Sequence, residues 1–251
     1  MDRIALITGA TSGIGLATAR LFSKKGYNII ICGRRQDRLD ELKRELSAHT
    51  KVGLLSFDVR SRNEVNEAIG SLDSEWEGID VLVNNAGNAH GLSSFEDGDL
   101  DDWDAMMDIN VKGLLYVSKA VIPGMVVRKS GHVVNIGSIA GKEVYANGNV
   151  YCASKFAVDA LNQGMRLDLN KYGIKVSAVN PGLVETEFSE VRFKGDRERA
   201  ANVYKGFNAL QADDIADVIH FIVSRPAHVN ISDLLVLPTA QASATTVNRS
   251  M

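Results

Sequence analysis

The sequence predicts an α/β fold, a doubly wound parallel sheet with helices on both faces. Three observations lead there. Short apolar runs alternate with longer helical patterns along the whole chain. The runs are rich in Ile, Val and Leu and lack strict apolar–polar alternation, as expected of strands buried on both faces. A glycine-rich turn follows the first run and opens the first helix.

The predicted strands are residues 4–8, 28–32, 52–57, 81–83, 132–136, 175–179 and 234–237. The predicted helices are 14–25, 36–48 and 62–76, then a long one from 100 to about 127, then 151–172 and 213–223. The last is the clearest: Ile215, Val218, Ile219 and Ile222 lie at i, i+3, i+4 and i+7, one apolar stripe of an amphipathic helix. Two stretches escape the alternation. Residues 186–208 are polar and charged and read as a lid over a site. The tail 239–251 reads as a surface or subunit contact.

A chain of 251 residues suits one large α/β domain with a full core, here 1–251. Its 45% hydrophobic and 24% charged content fits an ordinary soluble protein, and a net charge of −3 gives no electrostatic reason to expect nucleic acid or an anionic membrane as partner. Two cysteines, Cys32 and Cys152, are too few for a disulfide framework and sit in apolar context, which points to reduced thiols and a cytoplasmic protein. Residues 4–8 already read as a strand, so no signal peptide is expected, and no apolar run is long enough to span a membrane. The five histidines show no paired ligand spacing, so no metal is expected.

The turn after the first strand reads Thr8-Gly9-Ala10-Thr11-Ser12-Gly13-Ile14-Gly15. Glycines let the backbone approach a ligand closely, and the free N–H groups at a helix start favour a phosphate. The spacing is G-x-x-x-G-x-G, distinct from the G-x-G-x-x-G fingerprint. This turn resembles that of the short-chain dehydrogenase/reductase family. The resemblance extends over nearly the whole chain and implies a single Rossmann-type domain with a seven-stranded parallel sheet. It implies that Gly9, Thr11, Ser12, Gly13, Ile14 and Gly15 hold a dinucleotide.

At the end of the second strand, an acid would bind the ribose 2′-hydroxyl of NAD, whereas arginine accommodates the 2′-phosphate of NADP. Arg34 and Arg35 occupy that place, so NADP(H) is the expected cofactor, with one arginine gripping phosphate and the other stacking on adenine. Asp58 and Val59 resemble the family's adenine-contacting pair, although an Asp there also suits a turn or helix cap. Asn84-Asn85-Ala86-Gly87 follows the fourth strand and is similar to the family segment beside the cofactor, which implicates Asn85, Ala86 and Gly87; a purely structural role for the asparagines stays open. Asn180-Pro181-Gly182-Leu183-Val184-Glu185-Thr186 resembles the loop around the nicotinamide. Pro181, Gly182, Val184 and Thr186 would contact the cofactor there, the Val184 backbone bonding the carboxamide.

Tyr151-Cys152-Ala153-Ser154-Lys155 places a tyrosine and a lysine four residues apart, on one helix face. A free tyrosine, with a pKa of about 10, is a poor base. A nearby cation, with the positive charge of an oxidised nicotinamide, would favour the phenolate. Tyr151 then serves as general acid/base in moving a hydride between the nicotinamide and a carbon bearing oxygen. The resemblance adds Ser138 as the residue bonding the substrate oxygen. It adds Asn110 as a helix-bending residue that holds a water connected to Lys155.

Gly148-Asn149-Val150, FSEVRFKGD at 188–196 and PAHVNI at 226–231 are similar to a bacterial branch of NADP-dependent 3-hydroxy acid dehydrogenases acting on serine, L-allo-threonine or 3-hydroxypropionate. A small acid needs a cation for its carboxylate, and Arg192, or else Lys194, in the predicted lid would supply it. The alternatives are a carbonyl or ketone reductase of broader or acyl-thioester specificity, and a catalytically idle NADP-sensing regulatory protein. The family implies a homotetramer with helices 100–127 and 151–172 paired across subunits. Met106, Met107, Leu114, Leu115 and Val117 could supply apolar contact there or lie in the core.

Overall fold

A computed structural model describes residues 3–250. Seven strands form one parallel sheet: β1 (Ile4–Thr8), β2 (Asn28–Gly33), β3 (Val52–Ser56), β4 (Ile79–Asn84), β5 (His132–Ile136), β6 (Lys175–Pro181) and, after a smaller pair, β9 (Asp233–Val236). The spatial order is β3-β2-β1-β4-β5-β6-β9. The chain crosses from β3 on one side of β1 to β4 on the other. That reversal opens a crevice at the carboxyl ends of β1 and β4, where ligands bind in such sheets.

The unbroken apolar character of the strands has a direct cause. Successive side chains alternate between two cores. Ile7, Ile29, Ile31, Val83, Val134 and Val179 pack against α1 (Gly13–Lys24), α2 (Gln36–Leu46) and α9 (Ala212–Val223) through Phe22, Leu39 and Ile219. Leu6, Ile30, Leu82, Val133 and Val176 pack on the other face against α3 (Arg62–Gly70), α5 (Leu114–Arg128) and α6 (Asn149–Leu169) through Val65, Val117, Met125 and Leu169.

Several boundaries differ from the sequence expectation. Helix 62–76 stops at Gly70, and Ser74–Trp76 forms a separate 3₁₀ turn. The 151–172 helix begins at Asn149 and tightens into a 3₁₀ turn over Asn170–Tyr172 before Gly173, which takes a positive φ. The long helix is α4 (Leu100–Met107), a π-helical segment Asp108–Gly113, and α5. Such π segments concentrate at functional sites. Of the five side chains left open between a subunit contact and the core, Met106, Leu114 and Val117 are in the core, whereas Leu115 stays exposed.

The predicted lid carries structure of its own. A two-residue parallel ladder joins β7 (Val184–Glu185) to β8 (Leu210–Gln211), and between them lie α7 (Phe188–Arg192) and α8 (Arg197–Asn202). The tail is more than a surface strip. Gln241 is buried and its Oε1 accepts a hydrogen bond from Leu183 N, while Arg249 Nη1 donates to Lys205 O within the predicted lid.

His132, at the amino end of β5 and far from the crevice, is buried, paired with Ser177 Oγ at 2.8 Å, and pushed down to about 3 chiefly by burial. Below pH 6.5 the unfolded chain takes a proton at this position and the folded chain does not. Stability therefore falls as pH drops through that window, by up to about 1.4 kcal/mol per pH unit from this group. Urea unfolding at pH 6.5 and pH 5 checks it: His132→Asn should flatten the slope relative to wild type. Equal slopes in the two proteins would refute the assignment.

Candidate active site

The glycine turn lies at the crevice. Gly9 has φ +65°, a conformation L side chains rarely adopt, and a side chain on Gly15 would strike the Gly9 carbonyl. Ser12 precedes α1 without a side-chain cap, so the first N–H groups of that helix stay free for an anion. Asn85 braces the turn: its Nδ2 donates to Thr8 O at 2.9 Å and Gly9 O at 3.2 Å, and Thr8 Oγ1 accepts from the Asn85 and Ala86 amides. Asn84 points elsewhere. It donates to Ser118 Oγ and Asn135 Oδ1, and Asn135 donates on to Asn162, tying β4, β5, α5 and α6 together.

A cleft of about 540 Å³ runs from Arg34 and Arg35 at one end to Ser138, Tyr151, Lys155 and Arg192 at the other. Its walls include Gly9, Gly13, Ile14, Val59, Ala86, Gly87, Pro181, Gly182, Val184 and Thr186. Ligand pockets typically measure ~300–1,000 Å³. No acid ends β2, and Arg34 is half exposed, 3.6 Å from Asp58. Arg35 is held by Thr11, donating from Nε at 3.2 Å and Nη2 at 2.9 Å. A backbone cradle for phosphate, cations at the ribose end and one continuous groove fit NADP. Asp58 lies beside the groove without lining it: both of its oxygens accept from Arg60, the shortest contact 2.7 Å, which holds its carboxyl below the usual range against the opposing effect of burial.

Three separate elements bring the reacting groups together. Ser138 follows β5 and caps a 3₁₀ turn, accepting from Ala140 N at 3.1 Å. Tyr151 and Lys155 stand on the first turns of α6, and both are buried. Lys155 Nζ donates to Ile136 O at 3.0 Å and lies 6.0 Å from the centre of the Tyr151 ring. Asn110 sits in the π segment, 2% exposed rather than on the helix surface. Its Oδ1 accepts from Asn88 N at 2.9 Å and its Nδ2 donates to Asn88 O at 2.8 Å and to Ser154 Oγ at 3.0 Å. A Cβ on Gly87 would come 2.9 Å from Asn110 Oδ1 and 3.7 Å from Lys155 Nζ, so these three residues meet at one point.

Burial dominates the electrostatics. It drives the Lys155 ammonium down to about 8 and pushes the Tyr151 phenol above its ordinary value, opposed by the Ser138 hydroxyl and the Arg192 charge. The sequence argument had a cation depressing the phenol. In the free chain desolvation outweighs that effect, because a buried phenolate loses its hydration.

Arg192, at the end of α7, is a second cation beside Tyr151. Its Cζ lies 5.6 Å from the centre of the Tyr151 ring and 5.7 Å from that of Tyr145. Its Nε donates to Gly91 O at 3.1 Å, and its buried Nη2 has no partner among the described residues. Lys194 points away and pairs with Asp102 at 3.0 Å and Asp99 at 3.5 Å. Sequence reasoning missed Tyr145, Tyr204 and Gln241. Tyr204 Oη donates to Val184 O at 2.9 Å, and Gln241 packs so closely on Gly182 that no side chain would fit there.

Residues 3–197 match the family model described as short chain dehydrogenase. The chain is 45% identical over 242 residues to the NADP-dependent 3-hydroxy acid dehydrogenase YdfG of Escherichia coli strain K12, covering 96% of this chain and 97% of that one. It is 43% identical over 251 residues to sulfoacetaldehyde reductase 2 of Chromohalobacter salexigens, covering 99% and 100%. Among solved structures, the closed form of serine dehydrogenase complexed with NADP+ superposes with a TM-score of 0.93 at 44% identity, covering 98% of each chain.

Proposed function

This chain belongs to the short-chain dehydrogenase family, and from that membership we propose that it oxidises the hydroxyl of small 3-hydroxy acids such as serine, L-allo-threonine or 3-hydroxypropionate, or reduces the matching carbonyl. It is an NADP-dependent oxidoreductase acting on CH–OH groups. The observation that carries the substrate class is the Arg192 Nη2, buried beside Tyr151 without a partner. A buried donor on a half-buried cation, left without a partner among the described residues, is costly, and a carboxylate brought by the substrate satisfies it. A neutral ketone leaves it unpaired, which disfavours the broader carbonyl reductase. The assembled Ser138, Tyr151 and Lys155 disfavour an idle sensor.

Bound NADP supplies the hydride acceptor, and NADPH the donor. The rest falls to side chains. Ser138 donates to the substrate oxygen and holds it against Tyr151. In oxidation the Tyr151 Oη takes the hydroxyl proton; in reduction it returns one. Lys155, buried and near neutrality in pKa, passes protons toward the Asn110 and Gly87 corner and lowers the work of charging the phenol. Gly9 to Gly15 would cradle the pyrophosphate, one of Arg34 and Arg35 would grip the 2′-phosphate while the other stacks on adenine, and Pro181, Gly182, Val184 and Thr186 would hold the nicotinamide end. Asn85 supports that site by fixing the glycine turn. Val59 lies at the adenine end, with Asp58 holding Arg60 behind it.

The test is a 340 nm assay pairing NADP and NAD with 3-hydroxy acids and with neutral secondary alcohols. Turnover with NADP and hydroxy acids is the expected result. Turnover confined to neutral alcohols would overturn the substrate class. A second reading rests on the same guanidinium: a sulfonate fits it as a carboxylate does, and the likeness to sulfoacetaldehyde reductase 2 favours including 2-hydroxyethanesulfonate in the assay.

The chain works as one cofactor-binding and catalytic domain, 1–251, with the lid at 186–208. It assembles as a homotetramer, for which the exposed Leu115 on α5 and Phe156 and Leu167 on α6 offer apolar contact. A cytoplasmic setting suits two free, buried thiols, and among the described residues no helix is long and apolar enough to cross a membrane.

A further inference from the structure

One contact spans the cofactor groove and is absorbed by none of the roles above. Glu187 opens the lid, directly after Thr186, and lines the groove. Its carboxylate accepts from Arg38 Nη1 at 2.8 Å and from Arg35 Nη1 at 3.2 Å. Both arginines lie at the start of α2, on the opposite rim. The same stretch of lid touches the glycine turn, since a Cβ on Gly13 would come 3.3 Å from the Thr186 side chain. Partners 149 residues apart are thereby joined above the groove that fits the dinucleotide.

We propose that Glu187, with Arg38, is a positioning residue that closes the groove over bound NADP(H) and sets how long the cofactor stays. The inference rests on the NADP reading of this groove. Three charges share the contact: one carboxylate draws two guanidinium groups, and Arg35 is already fixed by Thr11, so the lid docks on a prepared partner. The contact is made by the protein alone and uses no atom of the 2′-phosphate. Its Arg38 arm therefore holds NADPH and NADH alike, while Arg35, which also stands at the 2′-phosphate end, discriminates between them with Arg34.

The test is stopped-flow release of the reduced cofactor, followed by nicotinamide fluorescence, from wild type, Glu187→Gln, Arg38→Gln and the double variant. Glu187→Gln should release both NADPH and NADH faster, by about two- to fivefold, the scale of a half-exposed ion pair, with little change in association rate. With NADH, which lacks the 2′-phosphate, Arg38→Gln should release faster than wild type but no faster than Glu187→Gln, which loses the Arg35 contact as well, and adding Arg38→Gln to Glu187→Gln should change nothing further. Unchanged release from Glu187→Gln overturns the proposal. So does slower release confined to NADPH, which would make Glu187 a competitor of the 2′-phosphate. A wild-type protein that binds neither cofactor would instead sink the NADP reading itself.

Discussion

Tyr151→Phe is expected to lose about 10²–10⁴-fold in kcat, the scale of a positioned acid or base, and to bind NADPH as wild type does. The ring itself packs beside Phe188, 5.7 Å between centroids, and phenylalanine keeps that contact. What disappears is the oxygen that exchanges a proton with the substrate. The pH dependence has a definite sign. Burial raises the phenol in the free chain, and Lys155 is lowered to about 8. Oxidation needs the basic form of this pair, so its rate should climb with pH toward about 8 and level off above. Reduction needs the proton and should fall over the same range. Steady-state rates in both directions from pH 6 to about 10 check this, as do fluorescence titrations of cofactor. A folded Tyr151→Phe protein that keeps wild-type turnover would end the assignment.

Arg192→Ala is expected to raise KM for 3-hydroxy acids about 10- to 150-fold, the equivalent of losing a charge-assisted hydrogen bond pair of about 1.5–3 kcal/mol. KM for a neutral secondary alcohol should change little. The contrast matters because Arg192 also holds Gly91 O with its Nε and stacks near Tyr145. Loss of that bracing alone would disturb every substrate to the same degree. Arg192→Lys separates charge from shape: lysine keeps the cation and lacks the fork that serves Gly91 and a carboxylate together. It should recover only part of the lost affinity. Equal effects on acid and neutral alcohol would show that Arg192 supports the lid without reading the substrate.

Much of this was legible in the chain because it is local. The glycine turn, the Tyr151 and Lys155 pair and the strand–helix alternation are encoded within a few residues of one another, where spacing alone decides which groups share a face. The same locality explains what stayed hidden. Periodicity reads 100–127 as one helix, since the π segment around Asn110 keeps an unbroken run of helix-compatible residues. Its cause is tertiary: Asn110 bonds the backbone of Asn88 on both sides, 22 positions away. Glu187 and Arg38, or Gln241 against Gly182, are far apart in sequence and leave no local trace. Asp58 was ambiguous for the opposite reason. A carboxylate at a strand end serves a ligand or its own turn, and in the free chain Asp58 bonds Arg60, two residues on.

The β7–β8 ladder gives the lid the character of an exchangeable cassette. Val184 pairs with Leu210 and Glu185 with Gln211, so the segment leaves and rejoins the body at adjacent points. Closing such an excursion costs little more as it lengthens, roughly 0.6 kcal/mol per doubling. Insertions or replacement between the contacts that Thr186, Glu187, Phe188 and Arg192 make with the body and residue 209 would thus leave the seven-stranded sheet in place. A lineage carrying this architecture can re-aim its substrate choice by rewriting this segment, while the proton-moving groups, anchored on α6 and β5, evolve under separate constraints.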